Sequence, residues 1–210
     1  MASEPAKTAF IIVDVQNDFC PGGALAVDDG HAVVGLINRA APVFGVRVLT
    51  QDWHPEGHSS FVSQHEGAEP FSMIDMHYGP QVIWPDHCVQ GTVGAEFHGE
   101  LETDRADMIV RKGFRHAVDS YSAFYENDHA TPTGLAGYLR ERGVTSVAVA
   151  GLATDFCVAH TALDAASEGF AVTVLEDACR AIDLEGSLDA MRGRMHEAGV
   201  VFARAADLAG

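Results

Sequence analysis

No stretch of the 210 residues approaches the roughly 20 consecutive apolar residues that a bilayer span needs. Residues 1–8 are short and polar and lack the apolar core of a secretory signal, so no membrane is expected and a cytoplasmic protein is. Basic residues are scarce: 13 Lys and Arg stand against 30 Asp and Glu, a formal net charge of −17. Binding a phosphate backbone would require a basic patch, so nucleic acid is not an expected partner. The surplus acid reads as solvated surface. Cysteine is sparse too. Cys20, Cys88, Cys157 and Cys179 form no CxxC pair, which argues against a zinc knuckle, and disulfides are not expected without a secretion signal. There are no internal repeats and no low-complexity linker, and no GxGxxG follows a strand.

What remains suits one α/β domain over residues 1–210: 47% of residues are hydrophobic, enough for a sizeable core. Apolar, β-branched runs alternate with amphipathic stretches. Strands are expected at 8–15, 46–50, 107–110, 144–150, 171–175 and 200–202. Helices are expected at 31–40, 132–142, 156–167 and 187–198, with Gly143 and Gly199 as stops. This alternation implies a three-layer fold, a mostly parallel six-stranded sheet with helices on both faces. Its chemistry should lie beyond the carboxyl ends of the strands. The stretch from 52 to 105 has little regular pattern and is rich in His, Gly, Pro and aromatics, as functional loops are.

Three residues stand at or just past expected strand ends. Asp14 closes the first strand, Lys112 follows the third, and Cys157 follows the fourth at the start of a helix. A helix N-terminus would lower the thiol pKa, making Cys157 a candidate nucleophile. Asp14 could take its proton and return one to a leaving amine, and Lys112 could orient Asp14. The backbone N–H groups of Ala153 and Cys157 could stabilise an oxyanion. Separately, Asp52-x-His54 places two ligand types on one side of an extended segment, and His87 in WPDHC could be a third. Such a set suits one divalent ion, Zn²⁺, Fe²⁺ or Mn²⁺, with coordination positions open for catalysis. His58 is a candidate fourth ligand; His65 and Glu66 are weaker ones. Phe19, Trp84 and Tyr121 lie close in sequence to these residues and could stack a planar ring.

Six segments in order resemble the nicotinamidase/pyrazinamidase family of isochorismatase-like cysteine hydrolases: FIIVDVQNDFCPGGAL, TQDWHPEGHSSF, WPDHCVQGTVGAEFH, RKGFRHAVDSYSAF, TPTGLAGYLRERGV and GLATDFCVAHTALDA. The resemblance implies an Asp14, Lys112 and Cys157 triad, metal ligands Asp52, His54 and His87, a cis Leu152–Ala153 bond, and a substrate pocket of Phe19, Trp84 and Tyr121. It implies hydrolysis of a small aromatic carboxamide, nicotinamide or pyrazinamide, through a thioester, in the salvage of NAD breakdown products. It leaves open a homo-oligomer. The rival reading within the superfamily is an amidase acting on a carbamoyl or ureido compound, which should lack the metal ligands.

Overall fold

The structure, a computed structural model, describes residues 7–208. Residues 1–6, most of the segment read above for a signal, and residues 209–210 lie outside the described residues. The chain opens with β1 (Thr8–Val13), whose TAFIIV sequence is buried at every position. A strand buried on both faces belongs in the middle of a parallel sheet, and β1 sits there. Then come α1 (Ala32–Ala40) and β2 (Val46–Asp52). The 52–105 stretch carries one regular feature that the sequence pattern does not predict, an antiparallel hairpin of β3 (Met73–Met76) and β4 (Gly79–Val82). Its four-residue strands alternate too briefly for a period-2 signal to register. After it come β5 (Met108–Lys112), α2 (Leu135–Glu141), β6 (Ser146–Leu152), α3 (Ala159–Ser167), β7 (Ala171–Arg180), α4 (Ser187–Glu197) and β8 (Val201–Ala203).

The six-stranded sheet runs β5-β2-β1-β6-β7-β8, every neighbouring pair parallel, with helices packed around both faces. The expected fold class is therefore the observed one. The chain builds outward from β1 through β2 to β5, then returns to place β6 on the other flank of β1. The switch point lies between β1 and β6, where doubly wound sheets bind ligands. Gly143 ends α2 as expected. Its φ of +69° needs no Cβ, and the Val144 N–H donates to the Leu139 carbonyl behind it. β7 runs five residues beyond its expected end and carries an irregularity in its pairing with β6 between Val149 and Gly151. No described helix is long and apolar enough to cross a membrane.

Candidate active site

Four strands deliver the reacting groups. Asp14 follows β1, Asp52 ends β2, Lys112 ends β5, and Cys157 lies just beyond β6. Asp52 and Lys112 are paired in register across β2 and β5, so their side chains leave the sheet on one side. Asp14 has a φ of +47°, an uncommon region for a residue with a side chain. Thr50 fixes it there: its hydroxyl donates to Asp14 Oδ1 at 2.6 Å and accepts from the Asp14 N–H at 3.1 Å.

Lys112 is wholly buried and is the hub. Its Nζ stands 2.8 Å from Asp14 Oδ2, donates to Asp52 Oδ1 at 2.7 Å and to the Ser120 carbonyl at 2.8 Å, and lies 3.4 Å from Cys157 Sγ. Burial alone would pull the ammonium down, but Asp14 and Asp52 hold it well above its ordinary value. Charged Lys112 therefore persists. The ligand atoms of Asp14, Asp52 and Cys157 lie within 4.8 Å of one another, close enough for an ion by distance alone. The ammonium already bonds all three, so that space is filled.

The nucleophile turn differs from the helix start expected there. Residues Thr154–Val158 form a π-helical turn, and α3 begins only at Ala159. Cys157 thus sits inside the turn rather than at an α-helix start. Its thiol is not lowered. Burial pushes it well up, Lys112 opposes, and the Asp14 and Asp52 carboxylates push it further. Cys157 rests as a thiol and needs a base. Asp14 suits that role, because burial raises its pKa, Lys112 opposes, and Asp52 raises it further. The Leu152–Ala153 peptide is cis, and Ala153 lines the cavity beside Cys157.

On the other side of Lys112, Asp52 Oδ2 faces His54 Nε2 at 3.4 Å and His87 Nε2 at 3.6 Å. Each imidazole uses Nδ1 for a backbone carbonyl: His54 donates to Gly113 O at 2.8 Å and His87 to Pro85 O at 2.8 Å. That leaves both Nε2 atoms aimed at the carboxylate, the arrangement that metal-binding histidines adopt. Buried His54 Nε2 has no hydrogen-bond partner. A buried polar nitrogen without a partner is costly, and a cation bound by the neutral ring satisfies it. The three residues therefore fit a divalent ion, with mixed nitrogen and oxygen donors suited to Zn²⁺, Fe²⁺ or Mn²⁺. His58 is different. Its Nδ1 is 2.8 Å from Ser60 Oγ and its Nε2 is 3.0 Å from the Arg115 carbonyl, so both ring nitrogens are occupied. His65 likewise bonds the Ser59 carbonyl, and Glu66 is exposed.

Gly113 makes His54 fit. At φ +64° a Cβ would stand 2.5 Å from His54 Cε1. Gly113→Ala is expected to cost about 1–3 kcal/mol of stability and to expel the imidazole from its ligand position. A thermal melt and elemental analysis check it; unchanged metal content would refute this role for Gly113.

A cavity lined by Cys157, Asp52 and His87 joins the thiol to the Asp/His/His cluster. Phe19, Trp84 and Tyr121 all line it, as do Leu25, Asp119, Phe156 and Ile182, which the sequence pattern does not single out. Phe156 packs edge-on against Trp84 at 4.8 Å. Its place beside Cys157 was the available signal. Ile182 had none: Asp155, in the nucleophile turn, draws that loop in by accepting the Ile182 N–H at 3.0 Å and the Asp183 N–H at 2.8 Å.

The model of the isochorismatase domain matches residues 8–207. A nicotinamidase of Acinetobacter baylyi is 53% identical over 192 residues, 91% of this chain and 90% of its own. A solved Acinetobacter baumannii nicotinamidase/pyrazinamidase, also 53% identical, superposes with a TM-score of 0.96 over 98% of this chain and 100% of its own. A pyrazinamidase of Pyrococcus horikoshii solved in complex with zinc is 36% identical, with a TM-score of 0.76 over 94% of this chain and 99% of its own. The chain belongs to the isochorismatase family, in its nicotinamidase/pyrazinamidase branch.

Proposed function

We propose that the chain is a metal-dependent nicotinamidase, hydrolysing nicotinamide, and pyrazinamide as a second substrate, to the carboxylic acid and ammonia in NAD salvage. The observation that carries this reading is the buried Lys112 ammonium, which ties the Cys157–Asp14 pair to the ligand Asp52. Asp14 accepts the Cys157 proton as Sγ attacks the carboxamide carbon. The N–H groups of Ala153 and Cys157 receive the developing oxyanion. Asp14 then protonates the departing nitrogen, ammonia leaves, and a thioester remains. Asp14 next takes a proton from water, which attacks the thioester and frees the acid and the thiol. Phe19, Trp84 and Tyr121 hold the ring, and Lys112 keeps Asp14 ionised and in place. Asp52, His54 and His87 would hold the divalent ion, which when bound supplies a fixed positive charge against which a ring nitrogen or a water can be oriented. Four buried free thiols suit a reducing cytoplasm.

The test is ammonia release from nicotinamide with and without a chelator. One ammonia per nicotinate is expected. Chelation should cut the rate about a hundredfold or more, and added Zn²⁺, Fe²⁺ or Mn²⁺ should restore it. Turnover of a ureido compound, with none of nicotinamide, would point instead to the rival amidase.

A further inference from the structure

Asp119 belongs to neither the triad nor the Asp52/His54/His87 set, yet it lines the same cavity and is only 2% exposed. Its Oδ1 lies 3.9 Å from His54 Nε2, the buried nitrogen that lacks a hydrogen-bond partner. The carboxylate is held firmly from behind. Oδ2 accepts from Gln81 Nε2 at 2.9 Å, and Oδ1 accepts from the Ser120 N–H at 2.8 Å. Gln81 is itself buried and fixed, its Oε1 accepting from Tyr78 Oη at 3.1 Å and Asn127 Nδ2 at 3.0 Å. A connected polar scaffold thus presents one carboxylate to the cavity.

That carboxylate has no lysine or arginine ion pair among the described residues. Lys112 serves both Asp14 and Asp52. The Lys112 ammonium is thus engaged by Asp14 and Asp52, and the buried Asp119 carboxylate faces only His54 Nε2, at 3.9 Å. An unpaired buried charge is strongly destabilising. A divalent ion at Asp52, His54 and His87 would close that gap. Asp119 is placed too wide to join those three as a ligand. It clusters within 4.8 Å only with His54 and His58, not with Asp52 and His87.

We propose that Asp119 is a positioning residue for the metal centre, acting from outside the ligand set beside His54 Nε2 and balancing the charge of the ion that Asp52, His54 and His87 would hold. This rests on the metal reading above, which its test separates. Metal-stripped wild type, Asp119→Asn and Asp119→Ser are titrated with Zn²⁺ against a chromophoric chelator, and each is melted with and without zinc. Wild type is expected to bind one Zn²⁺. Both variants should still bind one, with Kd raised roughly 10–100-fold, as losses from outside the ligand set do. The rise in Tm that zinc confers should shrink in both. A purely structural role would instead lower the Tm of stripped and loaded protein alike and leave Kd unchanged, which would overturn the proposal. Should Asp119→Asn fail to fold, Asp119→Ser supplies the same readout. Failure of wild type to bind zinc would overturn the metal reading itself.

Discussion

Cys157→Ala is expected to lower kcat for nicotinamide by about 10⁴-fold or more while the protein stays folded and keeps its metal. The loss should be large because no nearby group can replace the thiol as nucleophile. Asp14 is already engaged by Thr50 and Lys112, and Lys112 is held as an ammonium by two carboxylates. Removing the nucleophile from a triad abolishes the covalent route, and only binding and the oxyanion donors remain. Stability should change little. One buried sulfur is lost, a cost of about 1 kcal/mol, which in a chain of this size moves Tm by about 2–4 °C. The proposed ligands Asp52, His54 and His87 do not include the thiol, so elemental analysis should find the metal unchanged. Residual turnover within about tenfold of wild type would remove Cys157 from the mechanism. A matching loss of metal would mean that its sulfur is a ligand.

The second large effect is expected at Lys112. Lys112→Met keeps the length of the side chain and deletes the charge. Asp14, which is wholly buried, would then lose its only cationic partner among the described residues, and Asp52 one of its partners. Breaking a buried ion pair from one side costs about 3–5 kcal/mol. Tm should fall by roughly 10 °C. Burial already raises the Asp14 pKa against the opposing pull of Lys112, so without the ammonium its carboxyl should protonate more readily. A protonated Asp14 cannot accept the thiol proton, and activity should fall about 10³-fold or more. The paired losses are diagnostic. A fall in Tm with normal kcat would show that Lys112 is structural only. Unchanged Tm with lost kcat would contradict the buried ion-pair geometry.

Much of this architecture was legible in the chain. TAFIIV announces a strand buried on both faces, and Leu135, Leu139 and Gly143 mark a helix and its stop. Asp52 and His54, neighbours but one on an extended segment, share a side because side chains in extended chains alternate. The β3–β4 hairpin was not legible, because two four-residue strands with mixed burial carry almost no periodicity. The π-turn at Thr154–Val158 reads as plain α-helix in sequence, because composition does not distinguish a widened turn from a regular one. That difference matters at Cys157. The helix-start argument lowers the thiol, whereas the burial and nearby carboxylates that raise it are tertiary quantities.

The order of residues along the chain settles which atoms are on offer: one sulfur, one ammonium, and the carboxylates and imidazoles, with Asp14, Asp52, His54 and Lys112 at or next to strand ends and His87 in a loop. That they meet is a property of the folded molecule. Strand order sets β1 between β2 and β6 and so gathers Asp14, Asp52, Lys112 and Cys157 at a single switch point. Folding also makes His54 and His87 offer Nε2 while His58 offers neither nitrogen, and brings Asp119 and Ile182 to the cavity at all. Hydropathy periodicity reports which face of a local segment is buried. Proximity between residues 60 apart, such as Asp52 and Lys112, and the electrostatics of the space they share depend on how all the crossovers pack together.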